Sequence, residues 1–180
     1  MKDKIKIVLT GGPCCGKTTL LNELRKKGHN ICGEAAREIL EKEPAAATDY
    51  ENFQTRVLER QSANESDLDD VLEGSSDKLA YLDRSVVDGI AYSRHALNRI
   101  PKVFDCHQMK GRYNVILLLD RLPLVQDGLR LESNDAEAER IHDHIQKAYV
   151  DYGYFPIRVP IVGTPEQRAD YVVELVERLK

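Results

Sequence analysis

Lys17 and Thr18 close the segment Gly11-Gly12-Pro13-Cys14-Cys15-Gly16-Lys17-Thr18, which has the spacing G-x-x-x-x-G-K-[ST]. That spacing suits anion chemistry. Glycines let the backbone bend so that its N–H groups, with the start of a following helix, point at phosphate oxygens. Lys17 then reaches the β- and γ-phosphates of a nucleoside triphosphate, and the Thr18 hydroxyl ligates Mg²⁺. Thr19 lies beside them in the first helical turn. The pattern carries this meaning only between a strand and a helix. Here the β-branched run at 4–10 precedes it, and Thr19–Lys27 follows with apolar residues at helical spacing, ended by Gly28.

Two further strand candidates end in the same dipeptide, Asp83-Arg84 and Asp120-Arg121. Ligands of an open α/β sheet bind at the carboxyl ends of its strands, so both pairs are aimed at the phosphate-loop edge. An Asp there can bind Mg²⁺ or accept a proton from a substrate hydroxyl. Asp83, followed by Arg84, Ser85 and Asp88, is read in this way, as a catalytic and metal-linked acid. Asp120 is read as a turn or cap residue, a position Asp often fills. Neither Asp is followed by Glu to activate water, and no Asn-Lys-x-Asp guanine-reading motif occurs. Transfer of a phosphoryl group to a bound hydroxyl therefore fits better than a hydrolytic motor or a Ras-like switch.

Glu34 and Arg37 lie three apart at the start of a helix, on one face. They could clasp a polar acceptor, with Arg84 and Asp88 in the same pocket; a surface ion pair is the alternative. Gln126-Asp127-Gly128-Leu129-Arg130 fits a lid hinge whose closure brings Arg130 onto the transferring phosphate. Arg121, just before it, could stack on the base or meet phosphate. His142 and His144 share no helical face and read as surface residues. Cys14 and Cys15 replace the smaller residues usual in such loops. A reactive thiol beside Lys17 and a helix N-terminus is one reading, and two small side chains that simply fit is the other.

These residues need a scaffold, and the chain supplies five strand candidates: 4–10, 29–33, 78–83, 113–120 and 157–161. The third and fourth are near-continuous apolar runs, as strands covered on both faces should be. Helical patterns alternate with them. They include 49–72 on Phe53, Val57, Leu58, Leu68, Val71 and Leu72, with an acidic end (Glu65, Asp67, Asp69, Asp70, Glu73) read as a solvated face. They also include 134–152 on Ile141, Ile145, Ala148, Tyr149 and Tyr152, and 165–179 on Tyr171, Val172, Leu175, Val176 and Leu179. Residues 98–112 read as loop with a short helix. Alternating β and α predicts a parallel sheet with helices on both faces.

The 180 residues suit one domain, 1–180, and a net charge of −4 gives no footprint for nucleic acid. No apolar run reaches the ~18–20 residues that span a bilayer, and the chain enters directly into a strand with no signal peptide. The four cysteines form no C-x-x-C pair. A cytoplasmic protein without nucleic-acid or membrane partners is expected.

Taken together, the chain resembles the P-loop kinase-like AAA domain shared by NadR-type ribosylnicotinamide kinases and the TRPL-translocation-defect family. The resemblance rests on TGGPCCGKTTL at 10–20, GEAARE at 33–38, FQTRVLERQ at 53–61, YLDRSVVDGIAY at 81–92, QDGLR at 126–130 and PEQRADYVVELV at 165–176. It implies an α/β P-loop NTPase fold of the nucleoside or nucleotide kinase type: a five-stranded parallel sheet with a lid at about 121–140. It implies ATP or GTP with Mg²⁺, Asp83 as base or metal-linked acid, Arg130 as a lid arginine, and Gly163 and Thr164 against the nucleotide base. NadR-type proteins carry a nucleotidyltransferase domain before the kinase-like one, and TRPL-type proteins a further C-terminal domain. These 180 residues hold no counterpart of either, so the resemblance does not carry the substrate. The expected activity is a Mg-ATP-dependent phosphotransferase acting on a hydroxyl of a small nucleoside-like or other polar metabolite. The alternative is a nucleotide-dependent binding switch with slow hydrolysis.

Overall fold

The computed structural model describes residues 4–106, 109–122 and 134–179. Five parallel strands form one sheet in the order β2-β3-β1-β4-β5. They are β1 (Ile5–Thr10), β2 (Asn30–Cys32), β3 (Leu79–Asp83), β4 (Val115–Leu119) and β5 (Ile157–Val159), each inside its expected range. The register pairs Leu9 with Asp83 across β1 and β3, and Thr10 with Leu118 across β1 and β4. The connections run outward on one side of β1, return to it, and then cross to the other side. Such a reversal leaves a crevice at the carboxyl ends of the strands beside it.

Alternation along the strands sends side chains to two cores. Ile7 and Leu9 of β1 pack with Leu20, Leu21 and Leu24 of α1 (Lys17–Lys26) and with Val172 and Val176 of α6 (Pro165–Leu179). Val8 faces the other layer, built from α3 (Tyr50–Gly74), α4 (Val86–Leu97) and α5 (Asp135–Asp151) through Leu58, Ile90, Ile141 and Ile145. A third, small cluster joins α2 (Ala35–Lys42) to α3 through Ile39, Leu40 and Phe53. Residues 98–112 carry a short 3₁₀ helix, Lys102–Cys106. No helix among the described residues is long and apolar enough to cross a membrane.

Three faces differ from expectation. On α6, Tyr171 and Leu179 are exposed, and the buried row is Arg168, Ala169, Val172 and Val176. Val71 of α3 is also exposed, whereas Tyr152 is half-buried and packs against the core with Ile141, Ile145, Ala148 and Tyr149, as expected. The larger correction is Glu65, expected on a solvated acidic face but only 1% exposed. Its carboxylate accepts from Arg112 Nε at 2.8 Å, the Tyr113 hydroxyl at 2.8 Å and Gln61 Nε2 at 3.1 Å. A buried charge persists only when paired and hydrogen-bonded, and here it is. Asp67, Asp70 and Glu73 are exposed as expected.

Candidate active site

The phosphate loop follows β1 directly. Gly16, with φ +77°, is the left-handed residue before α1, a conformation that costs an L side chain about 1–2 kcal/mol. Cys14 also has a positive φ, +55°. Gly12 has a different reason to be glycine. A Cβ there would fall 2.8 Å from the Ala138 carbonyl and 2.9 Å from the His142 Cβ, so loop and α5 touch backbone to backbone. Gly12→Ala is expected to cost about 1–3 kcal/mol through forced separation of the two. Thermal melting followed by circular dichroism checks this.

Lys17 is 7% exposed. Its Nζ donates to the carbonyls of Gly11 (3.1 Å) and Gly12 (3.2 Å) and to Cys15 Sγ (3.2 Å). These weak neutral acceptors are ones a phosphate oxygen can replace. Cys15 is a small buried side chain packed below the loop, which favours the second reading of that pair, whereas Cys14 is half-buried on the cavity wall. Cys14, Cys15 and Cys32 carry no disulfide.

β2 and β3 bring the acceptor-side residues together. Arg84 leaves β3 with φ +67°. Its Nε donates to Glu34 Oε1 at 2.8 Å, and its NH1 donates to the Gly11 carbonyl at 3.1 Å and to Asp88 at 3.3 Å. Its guanidinium carbon lies 5.0 Å from the centre of the Tyr92 ring. Glu34 pairs with Arg84, and Arg37 pairs with Glu41 at 3.1 Å. Burial pushes the Glu34 carboxyl up, but Arg84 and Lys17 outweigh it and hold the pKa below the ordinary value. Asp88, 2% exposed, has its carboxylate engaged by four donors. These are the Thr10 hydroxyl (2.5 Å), the Tyr149 hydroxyl (2.5 Å), the Ser85 backbone N–H (2.9 Å) and Arg84. It lines the cavity as a brace for Arg84 and the start of α4.

Asp83 is 4% exposed, and its Oδ1 has no hydrogen-bond partner. Burial first, and the Glu34 charge second, raise its pKa to about 7, against the pull of Lys17 and Arg84. An orphaned buried oxygen next to a phosphate loop fits a divalent cation or a ligand hydroxyl. Thr18, Glu34 and Asp83 share a cavity of about 160 Å³. Among the described residues no group of three or more His, Cys, Asp or Glu could hold a metal. That donor set fits Mg²⁺, which takes one or two protein ligands and completes its shell with phosphates and water.

A larger cavity of about 210 Å³ opens from loop residues 13–19. Glu34, Arg37, Arg84 and Asp88 also line it. Tyr50, Phe53 and Tyr92 line it with Gln54 and Gln61. Gln54 is 4% exposed, and its Oε1 has no partner. Asp83 does not line this cavity, whereas Glu34 lines both. Phe53 was read only as a core position, and the amides were missed because Gln54, Leu58, Gln61 and Glu65 form one buried helical row. An apolar pattern search reads such a row as polar.

Arg121 lies against the loop: its Nε donates to the Pro13 carbonyl at 3.4 Å, and its NH2 pairs with Asp135 at 2.5 Å. Gly163 and Thr164 do not line either cavity. Thr164 caps α6, its N–H donating to Gln167 Oε1 at 2.8 Å and its Oγ1 accepting from Gln167 N at 3.3 Å. Asp120 pairs with Arg158. Asp127, Gly128 and Arg130 of the expected lid lie outside the described residues, which resume at 134.

Two supports of the loop were not foreseen. Arg168 of α6 donates to the carbonyls of Cys15 (2.7 Å), Val159 (3.1 Å), Pro160 (3.1 Å) and Asp120 (3.3 Å). His142 is not a surface residue but accepts from the Gly12 N–H at 3.1 Å. Its helix neighbour His144 turns to α4, where its ring meets His95 at 5.6 Å.

A family model described as an AAA domain matches residues 6–168. The chain belongs to this AAA domain family. No curated protein matches it. Among solved structures, the AAA domain is similar to a NadR protein in complex with NR (TM-score 0.72, 16% identity), covering 98% of this chain and 49% of that one. It spans about half the length of that NadR chain and of another in complex with NAD and AMP-PNP (TM-score 0.65, 17% identity). It is also similar to deoxyadenosine kinase from M. mycoides with dCMP and dCDP bound (TM-score 0.61, 16% identity), covering 98% of this chain and 100% of that one. The AAA domain thus has the P-loop kinase fold, as expected from its NadR-like motifs.

Proposed function

We propose that this AAA domain is a Mg-ATP-dependent phosphotransferase acting on a hydroxyl of a small nucleoside-like or other polar acceptor. One observation carries the reading: the phosphate loop and the Glu34–Arg84 pair open onto a single cavity lined also by aromatic rings and a buried, unsatisfied amide oxygen. Such a lining suits a planar ring with a polar edge. Arg84 is already neutralised by Glu34 and Asp88, which favours an uncharged acceptor over a phosphorylated one.

In this reading the loop amides and Lys17 hold the donor phosphates. Thr18 and Asp83 hold Mg²⁺, which when bound neutralises charge on the phosphates. Glu34 faces both cavities and accepts the acceptor's hydroxyl proton, with Arg84 fixing its orientation. Its lowered basicity is tolerable because a loose phosphoryl transition state asks little of a base. Arg37 lines the cavity, Arg121 meets phosphate or base, Arg130 is a further phosphate-binding cation, and Gly163 and Thr164 serve the base. GTP is the other donor compatible with the loop.

A panel of nucleosides and ring-bearing vitamins, assayed for acceptor-stimulated ADP release, tests the proposal. At least one compound should stimulate release. None doing so while nucleotide binds would sink the reading. Gln54→Leu should then raise the acceptor's KM about tenfold or more with the nucleotide KM unchanged, since a site built to hydrogen-bond discriminates strongly. Steady-state kinetics with each substrate varied separately checks this.

A further inference from the structure

His142 sits midway along α5, and its ring turns toward the phosphate loop. The Gly12 N–H donates to Nδ1 at 3.1 Å, so the neutral ring carries its proton on Nε2. The contact cannot be loosened locally, because the Gly12 Cα already approaches α5 so closely that a Cβ would strike both Ala138 and His142. Gly12 is followed by Pro13, which has no N–H, and then by the residues that shape the anion cradle. Fixing the Gly12 amide therefore fixes where the cradle begins.

We propose that His142 is a positioning residue of the phosphate loop: its neutral imidazole anchors the Gly12 amide and makes nucleotide affinity dependent on protonation of that ring. This rests on the reading that the loop binds a nucleoside triphosphate. A doubly protonated imidazole has no acceptor, so the Gly12 N–H would face another N–H and the loop would shift. The groups that act on the ring come from three elements. Lys17 of α1 and Arg121 beyond β4 oppose its protonation, whereas Asp120 beyond β4 and Asp143 on α5 itself favour it. Burial is the largest influence and holds the pKa below the usual value. The neutral, anchoring form is therefore fully present above about pH 6.5 and is lost as pH falls below it.

MgADP binding to the full chain, measured by calorimetry across pH, tests the proposal with two variants. His142→Asn places Oδ1 where Nδ1 was and cannot be protonated, and His142→Leu removes the acceptor. At about pH 8 the Asn variant should bind within about threefold of wild type, and the Leu variant about tenfold more weakly, as expected for an unsatisfied buried donor. On acidification to about pH 5.5, wild type should lose measurably more affinity than the Asn variant, by less than about tenfold because the ring titrates below its ordinary value, while the Asn profile reports only the titration of the ligand. An Asn variant as weak as the Leu variant, or parallel pH profiles for wild type and Asn variant, would overturn the role. No binding by wild type at any pH would overturn the nucleotide reading beneath it as well.

Discussion

Asp83→Asn is expected to melt several degrees higher than wild type at about pH 8 without ligand, while phosphoryl transfer falls about 10³-fold. The two effects share one cause. Asp83 is buried with an unpartnered oxygen, and its pKa is raised to about 7. The folded protein therefore keeps this proton to higher pH than the unfolded chain, whose Asp titrates near 3.9. Stability falls as pH rises through that window and stays reduced above it. A three-unit shift corresponds to about 4 kcal/mol, an upper bound because Glu34 shares the same field. Asn has a similar shape and cannot ionise, so it removes the penalty together with the metal-linking charge. Mg²⁺ with nucleotide should raise the wild-type melting temperature more than that of the variant. Scanning calorimetry at about pH 5 and about pH 8 checks the sign, since the gap should shrink at the lower pH. A variant that melts at or below wild type at the higher pH would contradict this account of the site.

Arg168→Met is expected to be the most destabilising single change considered, by about 3–5 kcal/mol or about 6–20 °C in melting temperature. One guanidinium, 6% exposed, joins carbonyls of the phosphate loop, the end of β4 and the end of β5. Removing it takes a donor from four carbonyls, of which Val159 keeps the Asp120 N–H, and releases the Cys15 carbonyl, whose orientation fixes the loop just before Gly16. Arg168→Lys should recover little, because one ammonium on a flexible stem cannot span three segments as a planar fork does. A Lys variant within about 2 °C of wild type would show that the clamp is dispensable.

The contrast between these two arginine and aspartate positions explains what the sequence could and could not reveal. Strand β1, the loop and α1 are contiguous, so their chemistry is written in one local pattern. Asp83 and Arg84 were legible because a strand end must face the crevice. Arg168 was not, since its partners are 8 to 153 residues away and nothing local distinguishes it from a surface arginine. His142 was hidden for the same reason: helical spacing separates it from His144 but does not say which face meets a loop 130 residues earlier. Glu65 inverted expectation because its neighbours Asp67 and Asp70 do face solvent, and only Arg112 and Tyr113 from a distant segment make its burial tolerable.

The fate of the γ-phosphoryl group tests the central claim most directly. ATP labelled with ¹⁸O on its γ-phosphate, incubated with the chain, Mg²⁺ and the acceptor that best stimulates ADP release, can be followed by mass spectrometry. The account predicts the label in a phosphomonoester of the acceptor, lost in Asp83→Asn although nucleotide still binds. Label appearing only in inorganic phosphate would contradict it and assign the chain to slow nucleotide hydrolysis instead.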